Sequence, residues 1–207
     1  MSQINVKQLG LQPYLPMLEA MQQFTATRDT ATTDELWLLE HQPVFTLGQA
    51  GKAEHILTPH DIPVIKTDRG GQVTYHAPGQ LMAYCLLDVK RLQLNSRQLV
   101  CLLEKSIINL LADFHIQAYG DRDAPGVYVA GAKIASLGLR LRKGYSYHGL
   151  CLNVNADLTP FTFINPCGIK NQAVTSLKNL GCDISVAEVG EHLANKIKQL
   201  FYNNSSV

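Results

Sequence analysis

Residues 127–154 constrain the fold more than any other stretch, because three mostly apolar segments follow one another there with little between them. They span 127–130, 133–141 and 145–154. Gly131-Ala132 and Lys143-Gly144 leave room only for tight turns. Three strands joined in this way form a β-meander, so a sheet is the expected centre of the molecule.

Further segments extend that sheet or pack on it. Strands are expected at 4–9, closed by Gly10, and at 36–39, where the apolar run is unbroken and reads as buried. His41 to Gly48 reads as strand–turn–strand with Gly48 at a corner. Shorter strands fit 63–66, 72–75, 80–87, 116–119 and 161–164. Pro16 suits a first helical turn, and Met17, Leu18, Met21 and Phe24 then share one face. Residues 25–33 read as a loop, 52–57 as a short helix stopped by Pro59, and 120–126 as a charged turn. Asn95 and Gln98 form a capping box ahead of Leu99, Leu103, Ile107, Leu110, Leu111 and Phe114, which recur at helical spacing. Ser185 and Glu188 repeat the box ahead of Val186, Val189, Leu193, Ile197 and Leu200. Residues 203–207 are expected to fray. The fold class that follows is α+β, one domain over 1–207, with a mixed or antiparallel sheet and packed helices.

Composition removes several function classes. A chain of 207 residues with 17% charged residues and a net charge of +1 has no field that selects nucleic acid or a membrane surface. No apolar run approaches the roughly 20 residues of a membrane span. Five cysteines without Cys-x-x-Cys spacing do not suggest disulfides or structural zinc. Nothing at the N-terminus resembles a signal peptide, so a cytoplasmic location is expected.

The chemistry-bearing residues are few. In Asn165-Pro166-Cys167-Gly168, proline stiffens one side of the cysteine and glycine permits a turn on the other. That presents the Cys167 thiol at the end of a strand, as a nucleophile would need, although a lone cysteine is also a common core residue. Lys133 opens an apolar strand. Pointing inward, it would exchange a proton with a nearby thiol; pointing outward, it is an ordinary strand-end lysine. His76 or His148 would serve Cys167 as base in a Cys–His hydrolase, or simply bond backbone near a site wall. Arg69-Gly70-Gly71 fits either an anion or acyl-carbonyl cradle or a plain hairpin turn. Asn153 and Asn155 fit side chains that bond neighbouring turns. Cys85, Cys101 and Cys151 read as core, and Cys182 as exposed near a turn.

Taken together, His41 to Gly48, Arg69 to His76, Gly131 to Ala135, His148-Gly149-Leu150 with Asn153-Val154, and Asn165 to Gly168 resemble the bacterial lipoyl(octanoyl) transferases in order and spacing. The resemblance runs over residues 36–180. Ala77 departs from the glycine usual after the histidine, and Ser136 and Cys151 stand where alanine-like residues are common. The resemblance implies a fold shared with lipoate–protein and biotin–protein ligases, with a sheet covering an acyl tunnel. It implies that Cys167 accepts the acyl group with Lys133 as its partner. It also implies that Arg69, Gly70, Gly71, Gln72, Val73, Thr74, Tyr75, His76, Ser136, Leu137, Gly138, Gly149, Leu150 and Cys151 line the acyl pocket. The implied donor is octanoyl–acyl carrier protein. The implied acceptors are lipoyl domains of 2-oxoacid dehydrogenase complexes and the glycine cleavage H protein, with no cofactor or metal. An ATP-dependent lipoate or biotin ligase on the same fold, a Cys–His hydrolase and a lipoyl-domain binding module are the alternatives.

Overall fold

The computed structural model describes residues 4–121, 124–170 and 172–202. In chain order its elements are β1 (Ile4–Gln12), α1 (Tyr14–Thr27), β2 (Asp34–His41), β3 (Val44–Leu47), β4 (Val64–Lys66), β5 (Val73–His76) and β6 (Gln80–Leu86). There follow α2 (Ser96–Asp113), β7 (Tyr119–Gly120), β8 (Gly126–Val129), β9 (Ala132–Arg142), β10 (Tyr145–Asn153) and α3 (Val186–Tyr202). Seven strands form one sheet in the order β1-β2-β6-β10-β9-β8-β7, and β4-β3-β5 form a second. Only β1 and β2 run parallel in the large sheet, which is therefore mixed. The class is α+β. Among the described residues no helix is long and apolar enough to cross a membrane.

The apolar runs are unbroken because both faces of the sheet are covered. In β2 and β6, Leu36, Leu38, Leu81, Ala83 and Cys85 pack against α2 and α3. Their neighbours Trp37, Leu39, Met82, Tyr84 and Leu86 pack against α1 through Tyr14, Leu18 and Met21. Strand alternation sorts the two sets. The small sheet has its own core, in which Phe45, Val73 and Tyr75 meet Phe161 and Ile164. Both capping boxes form: Asn95 accepts from Gln98 N–H at 2.9 Å, and Ser185 Oγ from Glu188 N–H at 3.2 Å.

A buried carboxylate joins the ends of the helices. Asp34 Oδ1 accepts from Arg28 and Arg91, each at 2.6 Å, and from the Asp88 N–H at 2.7 Å. Asp34 Oδ2 accepts from Tyr202 Oη at 2.9 Å. Arg28 follows α1, Asp88 and Arg91 precede α2, and Tyr202 ends α3.

Several elements differ from the sequence reading. Strand β1 does not stop at Gly10 but continues to Gln12 through a bulge at that glycine, whose φ is +64°. The meander turn is Ala130-Gly131 (φ 47° and 84°), one residue earlier than expected, and Ala132 already belongs to β9. His41 to Gly48 is strand–turn–strand as read, and it carries the chain from the large sheet into the small one. The helix at 52–57 is one 3-10 turn, Ala53–His55. Of 116–119 only Tyr119 is strand, because the Ile116 N–H still closes α2 on Leu111 O. Residues 161–164 are not a strand; Pro160 starts a 3-10 turn there, Thr159–Phe163. Cys101 is exposed rather than core, while Cys85 and Cys151 are buried. Residues 203–207, expected to fray, lie outside the described residues, as do two positions of the 120–126 turn.

Candidate active site

Cys167 sits in a one-turn 3-10 segment, Pro166–Gly168, with its own backbone left-handed at φ 57°, ψ 16°. Such a conformation costs a non-glycine residue about 1–3 kcal/mol and persists only where the surroundings impose it. Here the Gly168 N–H bonds Asn165 O at 2.9 Å, the Ile169 N–H bonds Pro166 O at 3.0 Å, and the Asn165 N–H bonds His55 O at 2.8 Å. Gly168, at φ +75°, continues the left-handed path. The stiff mount is therefore present, held by a turn rather than by a strand end.

Lys133 comes from the start of β9. Its N–H bonds Ala173 O at 2.8 Å and its carbonyl accepts from the Thr175 N–H at 3.0 Å, which ties β9 to the segment after Cys167. The side chain turns inward and is 2% exposed. Its Nζ donates to Cys167 Sγ at 3.0 Å and to Pro125 O at 3.2 Å, and lies 5.2 Å from the Tyr128 ring centroid. Burial alone would lower the Lys133 pKa, but the charge of the Cys167 thiolate and its hydrogen bond outweigh that and raise it. The pair is an ammonium held within hydrogen-bonding distance of the cysteine sulfur.

Gly126 makes room for this contact. A Cβ there would stand 2.7 Å from Lys133 Cε and 3.1 Å from Nζ, and the glycine's φ of +154° is one L-residues rarely adopt. Gly126→Ala is expected to push the ammonium off Cys167 and reduce turnover by about a hundredfold, the cost of an ångström-scale misplacement. The check is the rate of Cys167 alkylation beside turnover. Both fall together if Gly126 acts through Lys133.

A narrow cavity of about 50 Å³ runs inward from Cys167. Arg69, Gly71, Gln72, Val73, Thr74 and His76 line it, as do Ser136 to Gly138 and Gly149 to Cys151. Gly70 lies on the neighbouring groove instead, and Tyr75 points into the small-sheet core against Phe45 and Phe161. Arg69 is a strut. It is buried and donates to Thr46 O, Thr46 Oγ1, Gly70 O and Gln72 O. The Gly70 N–H is spent on Leu139 O, which favours the structural turn over an anion cradle.

Both histidines are engaged elsewhere. His76 Nε2 lies 3.2 Å from Thr46 Oγ1, and burial holds its pKa well below the usual imidazole value. His148 Nε2 lies 2.8 Å from Asp68 Oδ1, and burial lowers its pKa too. Burial would raise the Asp68 carboxyl, but hydrogen bonds from His148 and Tyr147 hold it well below the ordinary range. Cys151 is a wall: burial pushes its thiol up to about 12. Asn153 bonds Gln80 Nε2 and Thr175 O, fixing the strand end near Lys133.

Asp68, Gly126, Tyr128, Tyr14, Met82 and Tyr84 complete the surroundings and are missing from the sequence reading. Alternation along 80–87 places Met82 and Tyr84 on one face, a signal that was there to use. Nothing local marks Asp68 or Gly126.

The family model for the lipoyl protein ligase A/B catalytic domain matches residues 13–198. The chain is 58% identical to an octanoyltransferase of Pseudomonas entomophila over 94% of this chain and 90% of that one. Its fold matches a lipoate-protein ligase A bound with ATP at TM-score 0.79 and 15% identity, covering 97% of this chain and 85% of the other. A biotin protein ligase of Aquifex aeolicus matches at TM-score 0.58 and 17% identity, over 97% and 69%. The chain belongs to the lipoyl protein ligase A/B catalytic-domain family, among its octanoyltransferases.

Proposed function

We propose that the chain transfers an octanoyl group from a carrier-protein thioester to a lysine of a lipoyl domain, through a thioester on Cys167. One observation carries the mechanism: the Lys133 ammonium 3.0 Å from Cys167 Sγ, at the mouth of a pocket walled largely by apolar and backbone atoms. The thiolate is the nucleophilic form of cysteine, and the ammonium stabilises it. In the first step Cys167 Sγ bonds the donor carbonyl carbon, the donor C–S bond breaks, and the departing thiolate takes a proton from Lys133. One thioester replaces another, so little driving force is needed.

Acylation removes the charge on sulfur. The larger contributions that raised the Lys133 pKa, those of the Cys167 sulfur, are then gone, and burial favours the neutral amine. Neutral Lys133 takes the first proton of the incoming lysine ammonium, whose amine attacks the carbonyl. The amide C–N bond forms, the C–S bond breaks, the second nitrogen proton passes to solvent, and Cys167 leaves as thiolate beside the Lys133 ammonium. Amide formation from a thioester runs downhill, so no ATP enters. An ATP-dependent ligase has no use for Cys167 as nucleophile, and a hydrolase would use one of the histidines engaged with Thr46 and Asp68. The proposed acceptors are the lipoyl domains of 2-oxoacid dehydrogenase complexes and the glycine cleavage H protein, and the proposed compartment is the cytoplasm, where the free cysteines stay reduced.

The test is single-turnover transfer from the isolated acyl-enzyme to a lipoyl domain, without ATP, across pH. The expected rate rises with pH and levels off below the ordinary lysine value of about 10.4, because burial then governs Lys133. Dependence on ATP, or release of free octanoic acid in place of domain acylation, would contradict the proposal.

A further inference from the structure

Cys167 stands where two cavities meet. Gly71, Gln72, Leu137, Gly138 and Cys167 line both. The remaining walls differ. The first cavity runs on between Tyr14, His76, Met82, Tyr84, His148 and Cys151, each at most 6% exposed, so it ends blind in the core. The second runs between α2 and β9, past Val100, Pro125 and Leu139, to Ser96, Leu141 and Ile169. Leu141 is 37% and Ile169 40% exposed, and Ser96 is exposed, so this groove opens to solvent.

A thioester carbonyl held at Cys167 carries two substituents. The acyl chain fits the blind cavity, because buried methylenes gain about 0.8 kcal/mol each there. The other substituent must leave by the open groove. Among the described residues no charged side chain other than Cys167 lines that groove; its walls are apolar, with Gln72 and Ser96 as polar points. A neutral amide arm finds apolar contact and hydrogen-bonding partners along these walls, whereas a phosphate would meet no cation among the described residues that line them.

We propose that the groove between α2 and β9 binds the flexible, amide-containing arm on which the donor carries its thioester. This rests on the acyl-transfer reading above. The arm lies along Val100 and Leu139 with its sulfur at Cys167, and emerges between Ser96 and Leu141. On transfer, the arm's C–S bond breaks as Cys167 Sγ bonds the carbonyl carbon. The released arm thiolate is protonated by Lys133 beside Pro125 O.

The experiment uses the whole chain and two small donors, octanoyl-pantetheine and the shorter octanoyl-N-acetylcysteamine, with acylation of Cys167 read by intact mass. Ser96→Trp and Leu141→Trp narrow the outer groove from opposite walls at solvent-exposed positions, where folding tolerates change. Both variants should lose about tenfold in acylation efficiency with octanoyl-pantetheine, and less than about threefold with the short donor. Equal loss for both donors, or no loss for either, would overturn the proposal. If the unsubstituted protein formed no adduct with either donor, the acyl-transfer reading would fail and this inference with it. An adduct that forms, with groove variants that do not discriminate, would sink this inference alone.

Discussion

Lys133→Ala is expected to lower single-turnover amide formation by about three orders of magnitude, within the range that loss of a positioned general base costs. The backbone of residue 133 is held by Ala173 and Thr175, so truncating the side chain leaves β9 in place. What disappears is the Nζ contact with Cys167 at 3.0 Å and with Pro125 O at 3.2 Å. Alkylation of Cys167 at pH 7 should slow as well, because nothing then stabilises the thiolate. Lys133→Arg separates the two roles. A guanidinium keeps a positive charge near sulfur yet cannot accept a proton at working pH. The Arg variant should therefore retain more alkylation than the Ala variant while failing equally in amide formation. The larger head must fit beside Gly126, whose missing Cβ already leaves Lys133 little room. If alkylation and amide formation were both unchanged in Lys133→Ala, the base would have to be sought at His76 or His148.

Asp34→Ala is expected to destabilise the fold by about 3–5 kcal/mol, the cost of breaking a buried ion pair from one side. Arg28 and Asp34 have side chains 0% exposed, and Arg91 adds a second cation at 2.6 Å. Removing the carboxylate strands two guanidinium groups, the Asp88 N–H and the Tyr202 hydroxyl together. The loss should appear in urea unfolding as a lower midpoint with an unchanged slope. Asp34→Asn keeps the volume and an acceptor oxygen, so it should recover part of the difference. A loss below about 1 kcal/mol would mean that solvent reaches and satisfies those groups.

The strands, helices and caps were legible because they follow from local rules. The unbroken apolar run at 36–39 and the strand read at 80–87 are buried on two faces, and both capping boxes formed where Asn95 and Ser185 signalled them. The exceptions mark places where tertiary contacts decide. Phe161 to Ile164 is apolar enough for a strand, but Pro160 and packing against Tyr75 turn it into a 3-10 segment. Cys101 falls inside the helix carrying Leu99 and Leu103, yet that register puts it on the outer face.

The site was legible in its residue types and not in its geometry. Lys133 and Cys167 are separated by 34 in sequence number, and no periodicity connects them. Their contact is made by a short ladder of Lys133 with Ala173 and Thr175, which no local pattern announces. Arg69 was read as a possible ligand group because it is a cation beside two glycines. Burial and four carbonyl and hydroxyl partners make it a strut instead. Tyr75 was grouped with its neighbours by motif, although strand alternation in β5 sends it to the opposite side from His76.

The central claim is that Cys167, and not another thiol, carries the acyl group. The most direct measurement is the intact mass of the chain after brief exposure to octanoyl–acyl carrier protein alone, followed by peptide mapping, in the unsubstituted protein, Cys167→Ser and Cys151→Ser. One octanoyl adduct on the peptide containing Cys167 is expected, lost in Cys167→Ser and kept in Cys151→Ser, whose buried thiol is pushed up to about 12. An adduct that survives Cys167→Ser, or disappears with Cys151→Ser alone, would contradict it.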